Sequence, residues 1–224
     1  MDLPRLPTGR PLREQAHEVL EDLIIHRTLP PGAHLAEEEL ARQLGVSRIP
    51  VREALHVLER DGWVERRHRQ GAFVARPDAD WAEQTFEVRR ILESQTAALA
   101  AARISSEELV QLEEILEAGK RAVEAGNREA VVDLNTRLHR AVAAASHNQV
   151  LIELLRQLEK RVVWYFSAVA TIRSHESWRE HEELVAALRS RDVEEASRLM
   201  TRHTEATRLA YRDSARRQPQ AASS

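Results

Sequence analysis

A chain of 224 residues, 42% hydrophobic and 31% charged with only 7 glycines, has material for one large or two small domains and favours helix. It contains no cysteine, which excludes disulfides, thiolate metal sites and cysteine nucleophiles and fits a reducing compartment. A net charge of −3 excludes a generally basic nucleic-acid coat, and no apolar run approaches the ~18 residues of a spanning helix, so a cytoplasmic protein without membrane contact is expected.

Residues 1–11 carry Pro4, Pro7, Gly9 and Pro11 and are expected to form a flexible arm. From Arg13 to His26, the residues Ala16, Val19, Leu20, Leu23 and Ile24 recur at helical spacing and predict a helix with one buried face. Pro30-Pro31-Gly32 ends that stretch, and Ala33-His34-Leu35 reads as a short extended piece. A second helix is predicted over 37–44, with acids in its first turn and Gly45 as its stop. Ser47 is the expected N-cap of a third helix, with Pro50 in its first turn. Val51, Ala54, Leu55 and Leu58 would face inward, while Arg48, Arg52 and His56 share another face. Arginine at a helix N-terminus opposes the helix dipole, and a DNA phosphate or guanine edge would remove the conflict.

After Gly62, the runs Trp63–Arg67 and Ala72–Ala75 alternate as two short strands around the turn His68-Arg69-Gln70-Gly71, a hairpin with a basic tip. Between 46 and 76 there are seven arginines and four acids, so positive charge gathers where a helix-turn-helix and its wing would meet a duplex. The run PPGAHLAEEELARQLGVSRIPVREALHVLERDGWVERRHRQGAFV resembles the winged helix-turn-helix of the GntR family of bacterial transcription regulators over 12–76. The resemblance implies a homodimer on an inverted-repeat operator of double-stranded DNA. Ser47, Arg48, Pro50 and Arg52 would lie at the operator, with Arg69 and Gly71 at the wing tip near the minor groove. Ile49 stands where related members often carry a hydroxyl residue.

Arg76-Pro77-Asp78 marks a boundary, beyond which no strand signal follows. Six helices are predicted, over 79–103, 106–125, 128–145, 148–173, 176–190 and 193–212, with a disordered tail over 214–224. Ser105-x-x-Glu108, Ser146-x-x-Gln149 and Asp192-x-x-Glu195 have capping-box spacing or a close variant, and Asn127 caps after Gly126. Short connections make this an antiparallel bundle, so the chain is expected to be mainly α: a winged helix-turn-helix followed by a helical domain over 77–213.

Asn135 and His139 are four apart and project from one helix face, while His181 and His203 come from two later helices. Three imidazoles from three helices can converge on a divalent cation, with an amide oxygen as a fourth donor. A single histidine of this kind is more often structural, and the other seven carry no metal role in this reading. Glu87-Val88-Arg89, Asn135-x-x-x-His139 with Asn148, and Glu180-His181 through Arg191-Asp192 to His203 are similar to the ligand-sensing FCD domain of the FadR-like subfamily. That resemblance implies an effector-binding and dimerisation domain with a metal, zinc or else nickel or manganese, held by Asn135, His139, His181 and His203. It also places Arg89 at a pocket for a small carboxylate or sugar acid. The departure is at the first ligand, asparagine where metal-binding members carry aspartate, and Asp133 lies off that helix face.

The expected function is a ligand-responsive transcriptional regulator, a repressor, controlled by that effector. A metal-dependent bundle enzyme with an accessory winged helix is the other reading. Against it, the Glu-x-x-His repeats of di-iron bundles are absent at these histidines, and His181-Glu182-Glu183-Leu184-Val185 lacks the second histidine of a zinc-protease helix. A structural DNA binder is disfavoured by the acidic helical half.

Overall fold

A computed structural model describes residues 10–217, which fall into two compact units divided between Arg76 and Pro77. In the first unit, α1 (Leu12–Ile25) starts after Pro11, whose ring presets the entry of the chain. Its buried stripe is Ala16, Leu20, Ile24 and Ile25; Val19, expected inward, lies at the edge of that stripe and is exposed. α2 (Glu37–Leu44) stops at Gly45, whose φ of 66° is left-handed, a conformation that costs glycine least. α3 (Arg48–Arg60) buries Val51, Ala54, Leu55 and Leu58 completely. Each of the larger three contributes about 1.5–3 kcal/mol of apolar burial.

β2 (Val64–Arg67) and β3 (Gly71–Val74) form the predicted hairpin. The extended piece before α2 is a third strand, β1 (His34–Leu35), and the sheet order is β1-β3-β2 with His34 opposite Phe73. Trp63, immediately before β2, is buried.

The second unit is all helix among the described residues: α4 (Ala79–Arg103), α5 (Ser106–Glu124), α6 (Arg128–Ala145), α7 (Gln149–Ser167), α8 (Ala170–Arg189) and α9 (Val193–Arg217). α4 is central, packing on α6, α7, α8 and, most extensively, α9. Its inner surface includes Ala97, Ala100 and Ala101, whose small side chains let neighbouring helices approach closely. Ser105 and Glu108 close a full capping box, and Asn127 and Asp192 accept the expected backbone N–H bonds from Ala130 and Glu195.

Three boundaries differ from those predicted. Asn148, not Ser146, caps α7; the Ser146 hydroxyl instead donates to Ala143 O at 2.6 Å. The division between the fourth and fifth helices of this unit falls at Ala168–Val169, not within the polar run after Arg173, so Arg173 belongs to α8. Arg128 Nη2 reaches the Ser167 carbonyl at 2.6 Å and satisfies an acceptor that the end of α7 would leave open. α9 continues through Arg217, so residues 214–217 of the expected tail are helical; 218–224, like residues 1–9 of the expected arm, lie outside the described residues. No described helix is long and apolar enough to cross a membrane.

Candidate nucleic-acid interface and metal centre

Gly45 turns the chain so that α3 begins on an exposed edge, where Ser47, Arg48, Ile49 and Arg52 are all exposed. Ser47 has the extended geometry of an N-cap, but its side chain makes no capping bond. Pro50 is the reason: it occupies the third helical position, whose N–H a serine cap would ordinarily bind, and proline has none. Pro50 itself is buried, which removes it from the surface set and leaves it to shape the first turn. The outcome is a helix start with an unused hydroxyl, no acid in the first turn and two forward arginines. Glu37 of α2 lies between them, 3.0 Å from Arg52 Nε and 3.9 Å from Arg48 Nη2.

The hairpin's basic residues divide into two groups. Arg66 pairs with Glu59 at 3.0 Å, and Arg67 pairs with Glu65 at 2.6 Å while its guanidinium covers the Phe73 ring at 4.2 Å. Arg69 is exposed at the tip with a φ of 61°. Gly71 has a φ of 102°, and a Cβ there would stand 3.0 Å from His34 Nε2, so backbone shape and a close neighbour both require glycine.

In the helical unit, His139 (α6), His181 (α8) and His203 (α9) each present a ligand nitrogen, all within 4.8 Å of one another. Their ring centroids are 5.3, 5.1 and 4.6 Å apart for the pairs 139–181, 139–203 and 181–203. His181 is 0% exposed, and neither ring nitrogen has a protein partner. Leaving a buried polar atom unpaired costs about 1–3 kcal/mol, so this ring is built for something besides packing. Trp178 meets it edge-on at 5.0 Å. Gly119 of α5 makes room for that indole, since a Cβ there would fall 1.9 Å from a ring carbon.

Carboxylates orient the other two rings. Glu180 accepts from Arg173 Nη2 at 2.5 Å and lies 2.8 Å from His203 Nδ1, so Nδ1 carries the proton and Nε2 keeps its lone pair. Arg89 Nη2 lies 3.3 Å from His139 Nε2, and His139 Nδ1 faces Glu93 Oε2 at 3.1 Å but off the line of a hydrogen bond. Burial first, then neighbouring His203, His139 and Arg89, push His181 well below the ordinary 6.5. Burial followed by His139 and Arg89 does the same to His203. Both rings are therefore neutral, the protonation state a metal requires. Burial by itself raises the Glu93 carboxyl, but Arg89 and His139 together outweigh it and hold Glu93 ionised.

Asn135 stands one turn before His139 on α6, buried, with Oδ1 unpartnered. Asp133 is exposed beside Arg137, away from this cluster. The four positions singled out from sequence thus supply three convergent imidazoles and, one turn away on α6, an unpaired amide oxygen, and the donor set fits a divalent cation. Asn135, His139, Arg89 and Glu93 also line a cavity of about 440 Å³ closed on its other side by α7. Arg89 is 2% exposed and donates from Nε to Glu93 Oε1 at 3.0 Å, so it is both a cavity residue and half of a buried ion pair. Glu93, Glu180 and Arg173 were not singled out from sequence as site residues. Arg173 and Glu180 lie seven apart on one helix face, a signal hidden once the helix was broken in the wrong place.

A winged helix with a basic, forward-facing helix start defines a DNA-binding transcriptional regulator rather than an enzyme. The comparisons with known proteins agree. Residues 12–74 match the bacterial regulatory proteins of the gntR family, and residues 84–206 match the FCD domain. The chain belongs to the GntR family of transcriptional regulators, in its FCD-containing branch. It is 31% identical over 218 residues to the Uxu operon transcriptional regulator of Escherichia coli, covering 88% of this chain and 84% of that one. The HTH-type transcriptional repressor RspR of Escherichia coli is 27% identical over 201 residues, 89% of this chain and 88% of its own. Among solved structures, E. coli McbR/YncC superposes with a TM-score of 0.74 at 26% identity, over 92% of this chain and 99% of that chain.

Proposed function

We propose that this regulator is a cytoplasmic repressor that binds an inverted-repeat operator as a homodimer and answers to a small carboxylate held in its helical unit. Arg48 and Arg52 read base edges or phosphates, Ser47 donates to a phosphate, and Arg69 with the Gly71 turn approaches the minor groove. Exposed Ile49 suits apolar contact with a thymine methyl group. The repressor direction is supported by the likeness to RspR. Asn135, His139, His181 and His203 would hold the metal, with zinc the best match to imidazole and amide donors. Bound there, the ion supplies a Lewis-acid anchor for a carboxylate, while Arg89 offers its remaining N–H groups from the cavity side.

The observation that carries this reading is the buried triad beside a cavity, with both His181 nitrogens unpartnered. The test is a fluorescence-anisotropy titration against the DNA flanking the regulator's own gene. Wild type should bind well above bulk DNA at moderate salt, and R48A/R52A should lose about tenfold or more, since a good base contact is worth about 1–3 kcal/mol. A double variant that occupies the same DNA as tightly would sink the assignment of α3 as the reading helix. Metal analysis of the purified protein, against a His181→Ala variant, tests the centre.

A further inference from the structure

We infer that the effector is a carboxylate with an apolar alkyl or aryl body, and not a polyhydroxylated sugar acid. This rests on the reading of the cavity as the effector pocket. The polar side chains of the cavity fall into two groups, one largely buried and one largely exposed. Arg89, Glu93, Asn135 and His139 form the first group, and the first three are buried. Ala143 of α6 and Ile152, Leu155, Val162, Val163 and Phe166 of α7 also line it, and none of these offers a side-chain hydrogen-bonding group. Thr136 also lines the space, but its hydroxyl already donates to Val132 O at 3.0 Å.

The remaining charges form the second group. The side chains of Arg140, Arg156 and Lys160 line the cavity and are exposed; Arg140 pairs with Glu159, which lines it too, and Arg156 pairs with Glu153. They can draw an anion to the cavity. A sugar acid threaded to Arg89 would set several hydroxyls against the apolar side chains of α7 with nothing to bond, at about 1–3 kcal/mol for each one stripped of water.

α7 adds an independent observation. It buries no side chain before Val163, so the apolar face it turns to the cavity is only partly covered by protein. An alkyl or aryl body would complete that packing, as a polar one would not.

Calorimetry and thermal-shift titration of the full chain loaded with zinc test this, using butanoate, hexanoate, octanoate and 3-phenylpropanoate against gluconate. Affinity should rise roughly three- to fourfold per added methylene, and gluconate should bind at least tenfold more weakly than octanoate. Leu155→Gln should weaken octanoate about tenfold while leaving zinc affinity, measured by chelator competition, at the wild-type value. Gluconate binding as tight as octanoate, or no dependence on chain length, overturns the inference and leaves the effector pocket standing. Zinc binding with no response to any of these acids overturns both.

Discussion

Asn135 is the position where one atom would set the strength of the proposed metal centre. Its Oδ1 is buried and unpaired, four residues before His139, and the three imidazoles near it bring no negative charge. Changing Asn135→Asp adds an anion at that place, which should tighten zinc binding about tenfold or more, given the Coulomb attraction at such range. A chelator-competition titration reads this directly, and equal affinities in the two proteins would remove Asn135 from the ligand set. At the other end of the chain, Pro50 shows how a residue works by what it lacks. It deprives Ser47 of its capping partner and leaves the start of α3 without an internal acceptor, which is what an incoming phosphate requires.

Between the helices of the second unit, several ends are closed by arginines from elsewhere in the fold. Arg128 binds the Ser167 carbonyl, Arg103 binds Ser146 O at 2.7 Å, and Arg191 binds Ile104 O at 2.8 Å. These charge-assisted bonds take the place of the glycine stops that a reader of sequence looks for. Arg128→Ala should cost about 1.5–3 kcal/mol in urea unfolding, since it leaves the end of α7 open where the chain turns into α8. An unchanged midpoint would show that water serves that carbonyl equally well. The misplaced boundary near Arg173 has the same origin: the Ala168–Val169 break has no local signal, while Ser174-His175-Glu176 looks like a cap and is mid-helix.

For the molecule as a whole, the neutral histidines couple stability to pH. His181 and His203 have pKa values pushed well below 6.5, whereas in the unfolded chain each titrates near 6.5. Between those values the unfolded chain binds more protons, so stability falls as pH falls. Their contribution is complete above about 6.5 and is lost progressively as pH drops toward the depressed folded values. Chelator-treated protein should therefore melt at a steadily lower temperature as pH falls from about 6.5 to 5.5, and the same chain carrying H181F should show a shallower slope. A flat profile in the unsubstituted protein would mean the rings are not held neutral. Adding zinc should raise the melting temperature at neutral pH, because a ligand bound only to the folded state stabilises it.

The histidine set came with the resemblance to the FCD domain, while local pattern was enough for the helix-turn-helix, the wing and the mainly helical class. Each of the latter depends on spacing along the chain, such as three-and-four periodicity in α3 and alternation in the hairpin. What only the tertiary structure decided depends on residues far apart in sequence meeting in space. It brought Arg89 and Glu93 of α4 against His139 of α6, set Glu180 behind His203, buried Pro50, and lined the cavity with the apolar side of α7. Periodicity says which face of a helix is apolar. It does not say whether that face meets another helix or an open space, and in α7 that difference defines the pocket.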